Sequence, residues 1–193
     1  MQRAEVVAAV IAERDGATMV ISPGASSGLV HAQDQLPATI YNMELGYATA
    51  VAYGIALGRP DQRVIALEGD GSMFAGIQVL GTLARFPVAN LTIVIVANGI
   101  WGTGEGNVAT TPGSAAQLAE IARACGLRAD RVVLTDDAAA LRTILARTKA
   151  EPGPWIVCAD TERSSTDRSG ARPRVQFDSV EAVDLTRRYL RTR

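Results

Sequence analysis

Short apolar runs alternate with longer alanine-rich stretches along most of this chain of 193 residues. The runs, such as LTIVIVA at 91–97, are rich in β-branched residues, which is typical of strands that are buried on both faces. The stretches between them repeat apolar residues at helical spacing. Strands that alternate with helices in this way predict an α/β fold, a doubly wound parallel sheet flanked by helices, in a single domain over residues 1–193.

The pattern also predicts approximate positions for the elements. The predicted strands are residues 17–22, 63–68, 91–97, 131–134 and 155–159. The predicted helices are residues 2–13, 45–58, 73–85, 114–125 and 137–149. The polar segment 160–174 is expected to be a solvated excursion, and a C-terminal helix is expected at 179–191.

Composition excludes several classes of function. The 19 basic and 20 acidic residues are interleaved, so the sequence shows no patch suited to nucleic acid or to an anionic membrane. The N-terminal residues lack the apolar centre of a secretion signal, and the longest apolar strand is too short to span a bilayer. We therefore expect a cytoplasmic protein.

The histidine and cysteine content is also informative. His31 is the only histidine, so this chain cannot build a Ser-His-Asp triad or a histidine-based metal cluster. Cys125 and Cys158 lie far apart without a CxxC spacing, which argues against a disulfide framework and a zinc site. We expect both cysteines to be small core residues.

Glycine-rich segments follow the first three predicted strands. The first strand runs into SPGASSG, the second into GDGS and the third into NGIWGTGEG. Ligands of an open parallel sheet bind beyond the carboxyl ends of its strands, and glycine lets the backbone approach a ligand closely. This edge of the sheet is therefore the candidate site.

Asp70 and Asn98 are candidate metal ligands at this edge. A carboxylate beside a helix N-terminus would repel a phosphate that is attracted to the same amides, unless a divalent cation lies between them. Mg²⁺ prefers hard oxygen ligands and phosphate, so Asp70 and the Asn98 amide oxygen could hold it, while Gly71 and Ser72 offer donors to a diphosphate. Asp-Gly and Asn-Gly also form ordinary turns, but two such motifs after consecutive apolar strands favour a site.

GDGS at 69–72, followed one helix and one strand later by Asn98-Gly99, resembles the metal and diphosphate motif of thiamine diphosphate enzymes. The upstream stretch YNMELGYATAVAYGIALGRPDQRVIALE is similar to the cofactor-binding half of the pyruvate-decarboxylase-like enzymes. The NGIWGTGEGN loop and the closing PRVQFDSVEAV resemble the β subunit of sulfopyruvate and phosphonopyruvate decarboxylases. The resemblance extends over about residues 24–159.

The resemblance implies roles for individual residues. Asp70 and Asn98 would bind Mg²⁺ through their side chains and Ile100 through its carbonyl group. Leu45 would support the bent cofactor from below, although it could equally be a core residue, and the Met43 carbonyl would accept a hydrogen bond from the aminopyrimidine. The other implied cofactor contacts are Gly69, Gly71, Ser72, Trp101 and Gly102. Trp101 could line the pocket or anchor its loop.

The loop that follows the first strand lies on the expected substrate side. Backbone amides and hydroxyl groups of Gly24, Ser26 and Ser27 could bind a sulfonate, phosphonate or carboxylate there. A plain glycine-serine turn is the alternative interpretation.

The resemblance also implies a partner. The related enzymes activate thiamine diphosphate with a glutamate from a pyrimidine-binding domain, for which this chain is too short, so no catalytic side chain is assigned here. The chain is expected to be the cofactor-binding subunit of a split, Mg²⁺-dependent 2-oxo acid decarboxylase, with a pyrimidine-binding α subunit of similar size. We expect at least two copies of each subunit. The alternatives are an acetolactate-synthase-like carboligase subunit and a non-catalytic thiamine diphosphate-binding module.

Overall fold

The computed structural model describes residues 1–101, 108–110, 113–163, 175 and 178–192. Along the chain the helices and strands are α1 (Arg3–Ala12), β1 (Thr18–Ile21), α2 (Ala25–Gln33), β2 (Thr39–Ile40), α3 (Ala48–Gly58), β3 (Val64–Gly69), α4 (Asp70–Ala75), α5 (Val79–Arg85), β4 (Leu91–Ala97), β5 (Ile100–Trp101), β6 (Val108–Ala109), α6 (Ser114–Ala124), β7 (Val132–Thr135), α7 (Ala138–Ala150), β8 (Trp155–Asp160) and α8 (Ser179–Arg191). A short 3₁₀ turn, Ala129–Arg131, precedes β7.

Six of these strands form one parallel sheet in the order β2-β1-β3-β4-β8-β7. The remaining two, β5 and β6, form a small antiparallel ribbon. The chain moves from β1 outward to β2 and then returns to place β3 on the other side of β1, so the strand order reverses between β1 and β3. Ligand crevices of doubly wound sheets lie at such reversals. The predicted fold class is confirmed.

Successive side chains of a strand point to opposite faces of the sheet, so each strand contributes to two apolar cores. What we call the first core lies between the sheet and helices α3 to α6, and includes Ala52, Met73, Leu80, Ile93 and Leu118. The second core lies on the other face, against α1, α2, α7 and α8, and includes Val6, Val30, Val94, Leu141 and Ala182. Burying each larger aliphatic side chain stabilises the fold by about 1.5–3 kcal/mol.

The structure differs from the sequence prediction at the elements nearest the candidate site. Residues 25–33 form α2, where a loop was expected, and the short strand β2 was not predicted. The single helix predicted at 73–85 is two helices, α4 and α5. The helix predicted from residue 45 begins at Ala48, which leaves Leu45 in the preceding turn.

A close contact between two glycines explains the division between α4 and α5. A Cβ atom on Gly76 would lie 2.0 Å from the carbonyl oxygen of Gly46, so no other residue fits there without a backbone shift. Gly46 has a φ of +84°, which also favours glycine. The contact fixes the turn that precedes α3 against the end of α4.

The two cysteines, the start of α7 and the single histidine have different surroundings in the structure. Cys158 is completely buried in β8, and burial raises the pKa of its thiol to about 12, but Cys125 is exposed and is not a core residue. The helix α7 is capped by Asp137, which accepts a hydrogen bond from the Ala140 amide at 2.7 Å. His31 is buried and packs edge-on against the Tyr41 ring.

In the described ranges, every helix is too short or too polar to cross a membrane.

We expect Gly76→Ala to destabilise the protein by about 1–3 kcal/mol, because the new methyl group would overlap the Gly46 carbonyl. Gly81→Ala is the matched control. Gly81 lies in α5, and a Cβ atom added there would have nothing within 4 Å, so alanine should stabilise by about 0.5–1 kcal/mol. Urea unfolding measures both free energies. Equal effects of the two substitutions would contradict the proposed backbone contact.

Candidate functional site

A cavity opens beyond the carboxyl ends of β1, β3 and β4, at the reversal of strand order. Its lining comes from residues 22–26 after β1, residues 69–72 at the end of β3, and Asn98, Ile100 and Trp101 after β4. Leu45 and Arg3 complete the described wall, together with Val96. The three strand ends that the sequence singled out therefore meet at one cavity.

Asp70 accepts four hydrogen bonds at the wall of this cavity. It is the first residue of α4 and is only 1% exposed. Its Oδ1 accepts a hydrogen bond from the Gly71 amide at 3.0 Å. Its Oδ2 accepts from the Gly99 amide at 2.9 Å and from the hydroxyl groups of Thr110 and Ser114, each at 2.8 Å. The carboxylate thus connects α4, the turn after β4 and the start of α6.

Asn98 lies next to Asp70 because of the register between β3 and β4. Gly69 pairs with Val96 at the end of that ladder, so both chains leave the sheet at the same level. The Asn98 side chain is 7% exposed, and its Oδ1 accepts a hydrogen bond from the Ile100 amide at 3.0 Å. This bond shapes the turn that brings Ile100 into the cavity wall.

The donor set of this cavity suits a hard divalent cation. Asp70 is a buried carboxylate, and no basic side chain within the described ranges forms a salt bridge with it. The described residues contain no group of three His, Cys, Asp or Glu side chains that could hold a metal. A cation here would instead combine the carboxylate with amide, carbonyl and ligand oxygens, a set that matches the preference of Mg²⁺ for a few protein oxygens and a phosphate.

Trp101 packs across the GDGS segment. A Cβ atom on Gly71 would lie 3.1 Å from Cγ of the Trp101 ring, so glycine is what lets the ring cover the start of α4. Trp101 also lines the cavity. The ring therefore both lines the cavity and packs against Gly71.

The residues expected beneath the cofactor have different surroundings. Leu45 is half-buried in the turn before α3 and lines the cavity, outside both apolar cores. Met43 is partly buried against the first core, and its amide donates to the Ile21 carbonyl at 2.8 Å. Met43 is not among the residues that line the cavity.

The residues expected on the substrate side are divided by α2. Gly24 and Ser26 line the cavity at the beginning of this helix. Ser27 is completely buried, and its Oγ accepts a hydrogen bond from the Asn42 amide at 2.9 Å. The structure therefore does not bring Ser27 to the cavity. Gly102, another expected cofactor contact, lies outside the described residues.

Glu68 is a buried acidic residue that the sequence reasoning missed. It is 1% exposed, and its Oε1 accepts hydrogen bonds from the Thr49 amide at 2.8 Å and the Thr49 hydroxyl at 3.0 Å. Burial raises the pKa of this carboxyl, and nearby hydroxyl groups of Ser72 and Ser22 partly offset the rise. The signal was present, because Glu68 is the one acidic residue within the apolar run VIALE.

Ser72 and Ser22 extend this arrangement to the cavity wall. The Oγ of Ser72 accepts a hydrogen bond from the Gly46 amide at 3.0 Å, and the Oγ of Ser22 accepts from the Gly69 amide at 3.1 Å. Glu68 therefore lies beneath the turns that carry Leu45 and Asp70. The Ser72 hydroxyl, expected to face a diphosphate, holds the Leu45 turn in this structure.

Residues 28–159 match the family model described as "Thiamine pyrophosphate enzyme, C-terminal TPP binding domain". The chain belongs to the thiamine pyrophosphate enzyme family. Thiamine pyrophosphate is thiamine diphosphate under another name, so the matched domain is, by its description, the one that binds this cofactor. The resemblance drawn from GDGS and Asn98 is confirmed at the level of the family.

Two named relatives of this thiamine pyrophosphate enzyme domain are decarboxylases. A phosphonopyruvate decarboxylase from Streptomyces hygroscopicus is 32% identical over 165 residues, which cover 85% of this chain and 40% of the relative. The sulfopyruvate decarboxylase subunit beta of Methanocaldococcus jannaschii is 36% identical over 83 residues, 43% of each chain. The alignments thus cover about two fifths of the length of each of these relatives.

Solved structures agree on the fold. The thiamine diphosphate-dependent 4-hydroxybenzoylformate decarboxylase of Rhodococcus jostii RHA1 superposes with a TM-score of 0.68 at 22% identity, over 85% of this chain and 33% of that one. Benzoylformate decarboxylase from Polynucleobacter necessarius gives a TM-score of 0.65 at 17% identity, over 82% of this chain and 33% of that one. At such low identity the likeness concerns the fold alone.

We expect Glu68→Ala to lower the free energy of unfolding by about 1–3 kcal/mol, because it leaves the buried Thr49 donors without their acceptor. Glu68→Gln should cost less, since it keeps a carbonyl oxygen and since the raised pKa means that folding favours the neutral form of this group. Urea unfolding of both variants, with the exposed Glu120→Ala as control, measures the difference. Equal losses for alanine and glutamine would rule out the acceptor role.

Proposed function

We propose that this chain is the cofactor-binding subunit of a split thiamine diphosphate- and Mg²⁺-dependent 2-oxo acid decarboxylase, similar to phosphonopyruvate and sulfopyruvate decarboxylases. The observation that carries the proposal is the Asp70 carboxylate, buried at the end of β3 beside Asn98 and without a basic partner among the described residues. A bound cation would stabilise such a buried carboxylate further, in addition to its hydrogen bonds. Family membership supplies the cofactor whose diphosphate would share that cation.

In this proposal each wall of the cavity has a part. Asp70, the Asn98 amide oxygen and the Ile100 carbonyl would hold Mg²⁺, and Gly69, Gly71 and Ser72, which line the same cavity, would contact the diphosphate. When bound, thiamine diphosphate supplies the electron sink that allows a 2-oxo acid to lose CO₂.

Orientation of the cofactor is assigned to side chains around it. Leu45, whose turn is held by the Gly46 and Gly76 backbone contact, would support the two rings from one side. Met43 would accept the aminopyrimidine hydrogen bond through its carbonyl group, and Trp101 closes the wall over Gly71. On the substrate side, Gly24 and Ser26 are available to a carboxylate or another anionic group, and Ser27 supports their helix from its buried position.

A pyrimidine-binding α subunit of similar size would complete the site. The match to a chain named sulfopyruvate decarboxylase subunit beta supports this division, as does the second such subunit from Methanococcus maripaludis, 29% identical over 115 residues. The glutamate that activates the cofactor would come from that partner. A hetero-oligomer with at least two copies of each chain, in the cytoplasm, is the assembly that we propose.

A carboligase is the second candidate. Acetolactate synthase 2 of Nicotiana tabacum is 30% identical over 131 residues, which cover 58% of this chain and 19% of the synthase. Such an enzyme would use the same metal and cofactor residues. The product separates the two functions, because decarboxylation releases an aldehyde and carboligation yields a hydroxyketone.

The deciding experiment is native mass spectrometry of the tagged chain from its own cells, followed by assays of the purified complex. We expect a second polypeptide, retained thiamine diphosphate and Mg²⁺, and aldehyde formation from phosphonopyruvate or sulfopyruvate. A complex with cofactor but no turnover of any 2-oxo acid would favour a non-catalytic module. A chain that takes up no cofactor when Mg²⁺ and thiamine diphosphate are supplied would contradict the proposal.

We expect Asp70→Asn to weaken Mg²⁺-dependent thiamine diphosphate binding on the order of 100-fold, because the amide keeps the shape but loses the charge that holds the cation. Isothermal titration calorimetry in Mg²⁺, repeated in EDTA, measures this loss. Asp136→Asn, which removes an exposed carboxylate after β7, is the control. Unchanged affinity in the Asp70 variant would remove this residue from the metal site.

A further inference from the structure

Arg3 lies on the wall of the same cavity, far from the sequence motifs that led to it. It is the first residue of α1 and is half-buried. The cavity lining includes Arg3 together with Gly24 and Ser26 from α2 and Asp70 from α4. Among the described residues of that lining, Arg3 and Asp70 are the charged ones, and Arg3 alone is positive.

The position of Arg3 is not explained by helix stability. A cation in the first turn of a helix interacts unfavourably with the helix dipole, by about 0.3–1 kcal/mol. The first turn of α1 is instead stabilised by a capping box, in which the Glu5 carboxylate accepts a hydrogen bond from the Gln2 amide at 2.6 Å. An anion in the adjoining cavity would offset the unfavourable interaction of the guanidinium with the helix dipole.

The two charged residues reach the cavity from opposite faces of the sheet. Helix α1 packs into the second core through Val6, whereas α4 packs into the first core through Met73. The cavity spans the sheet edge between them. A metal ion at Asp70 and the guanidinium of Arg3 would therefore present two positive charges to a ligand from two sides.

We propose that Arg3 binds a phosphorus- or sulfur-bound oxyanion of a ligand in this cavity. The inference rests on the proposed function, in which two groups have this chemistry: the diphosphate of the cofactor and the phosphono or sulfo group of the substrate. The planar guanidinium donates paired hydrogen bonds that match the oxygens of either group. Neither the motifs nor the family description assigns a role to Arg3.

The test uses the full chain together with any subunit that copurifies with it, as wild type, Arg3→Gln and Arg3→Lys. Arg142→Gln, which removes an exposed charge from α7, is the matched control. Calorimetry in Mg²⁺ measures the affinity for inorganic pyrophosphate and for thiamine diphosphate. Steady-state kinetics compare phosphonopyruvate with pyruvate, which has no second anionic group.

The two sources of the oxyanion give different results. If the cofactor supplies it, Arg3→Gln weakens pyrophosphate and thiamine diphosphate binding by about tenfold or more, the size expected for a charged hydrogen bond. If the substrate supplies it, the KM for phosphonopyruvate rises by about tenfold or more. In that case the KM for pyruvate and the cofactor affinity stay as in wild type. Arg3→Lys should retain part of the effect in either case, because it keeps the charge but loses the paired donors.

Unchanged affinities and KM values in Arg3→Gln would overturn the inference, and so would a wild-type protein that binds neither pyrophosphate nor phosphonopyruvate. Absence of decarboxylation by a wild-type complex that still binds pyrophosphate would contradict the proposed function only, because the binding measurements still test Arg3. Urea unfolding of each variant verifies that any loss of binding arises in a folded protein.

Discussion

The hydrogen bonds that hold the buried Asp70 carboxylate organise the whole cavity edge. Four donors from three different parts of the chain converge on this one side chain. Each of those parts carries other residues of the cavity or its support, so the position of Asp70 determines where α4 begins and where the chain turns after β4. An anionic acceptor buried in this way is costly without a cation, which makes the same arrangement both a structural joint and a candidate metal ligand.

Glu68 and Asp70 lie on either side of the end of β3, and their carboxyl groups have different surroundings. Glu68 still belongs to β3 and is surrounded by the protein, so it accepts from the start of α3, and burial raises the pKa of its carboxyl group. Asp70 follows the last strand residue and lines the cavity. Both carboxyl groups join elements to one another, but only Asp70 also borders the cavity. The two carboxyl groups have different surroundings although they are only two positions apart, because the backbone passes from β3 into α4 between them.

The sequence predicted the fold class and the sheet edge at which the cavity opens because those features depend on local patterns. The apolar run 91–97 could only be a buried strand, and glycines beside Asp70 and Asn98 indicated the ligand edge. The break at Gly76 could not be predicted, since it depends on a contact with Gly46 thirty positions earlier in the chain. Helix α2 was missed because its first residues, ASSG, are typical of a turn. Arg3 was missed because its sequence neighbours suggest only a helix, and the fold alone brings it to the cavity.

The cavity combines positive and negative groups in a way that a single strand-end motif could not provide. Asp70 and Asn98 come from neighbouring strands on one side, and Arg3 comes from a helix that packs on the opposite face of the sheet. A cation bound by the first pair would draw a phosphate toward α4, and the guanidinium would attract an anion toward α1. A ligand with two separated anionic groups fits this distribution better than a ligand with one. The charge pattern of the cavity is therefore consistent with a diphosphate cofactor and an anionic substrate that share one sheet edge.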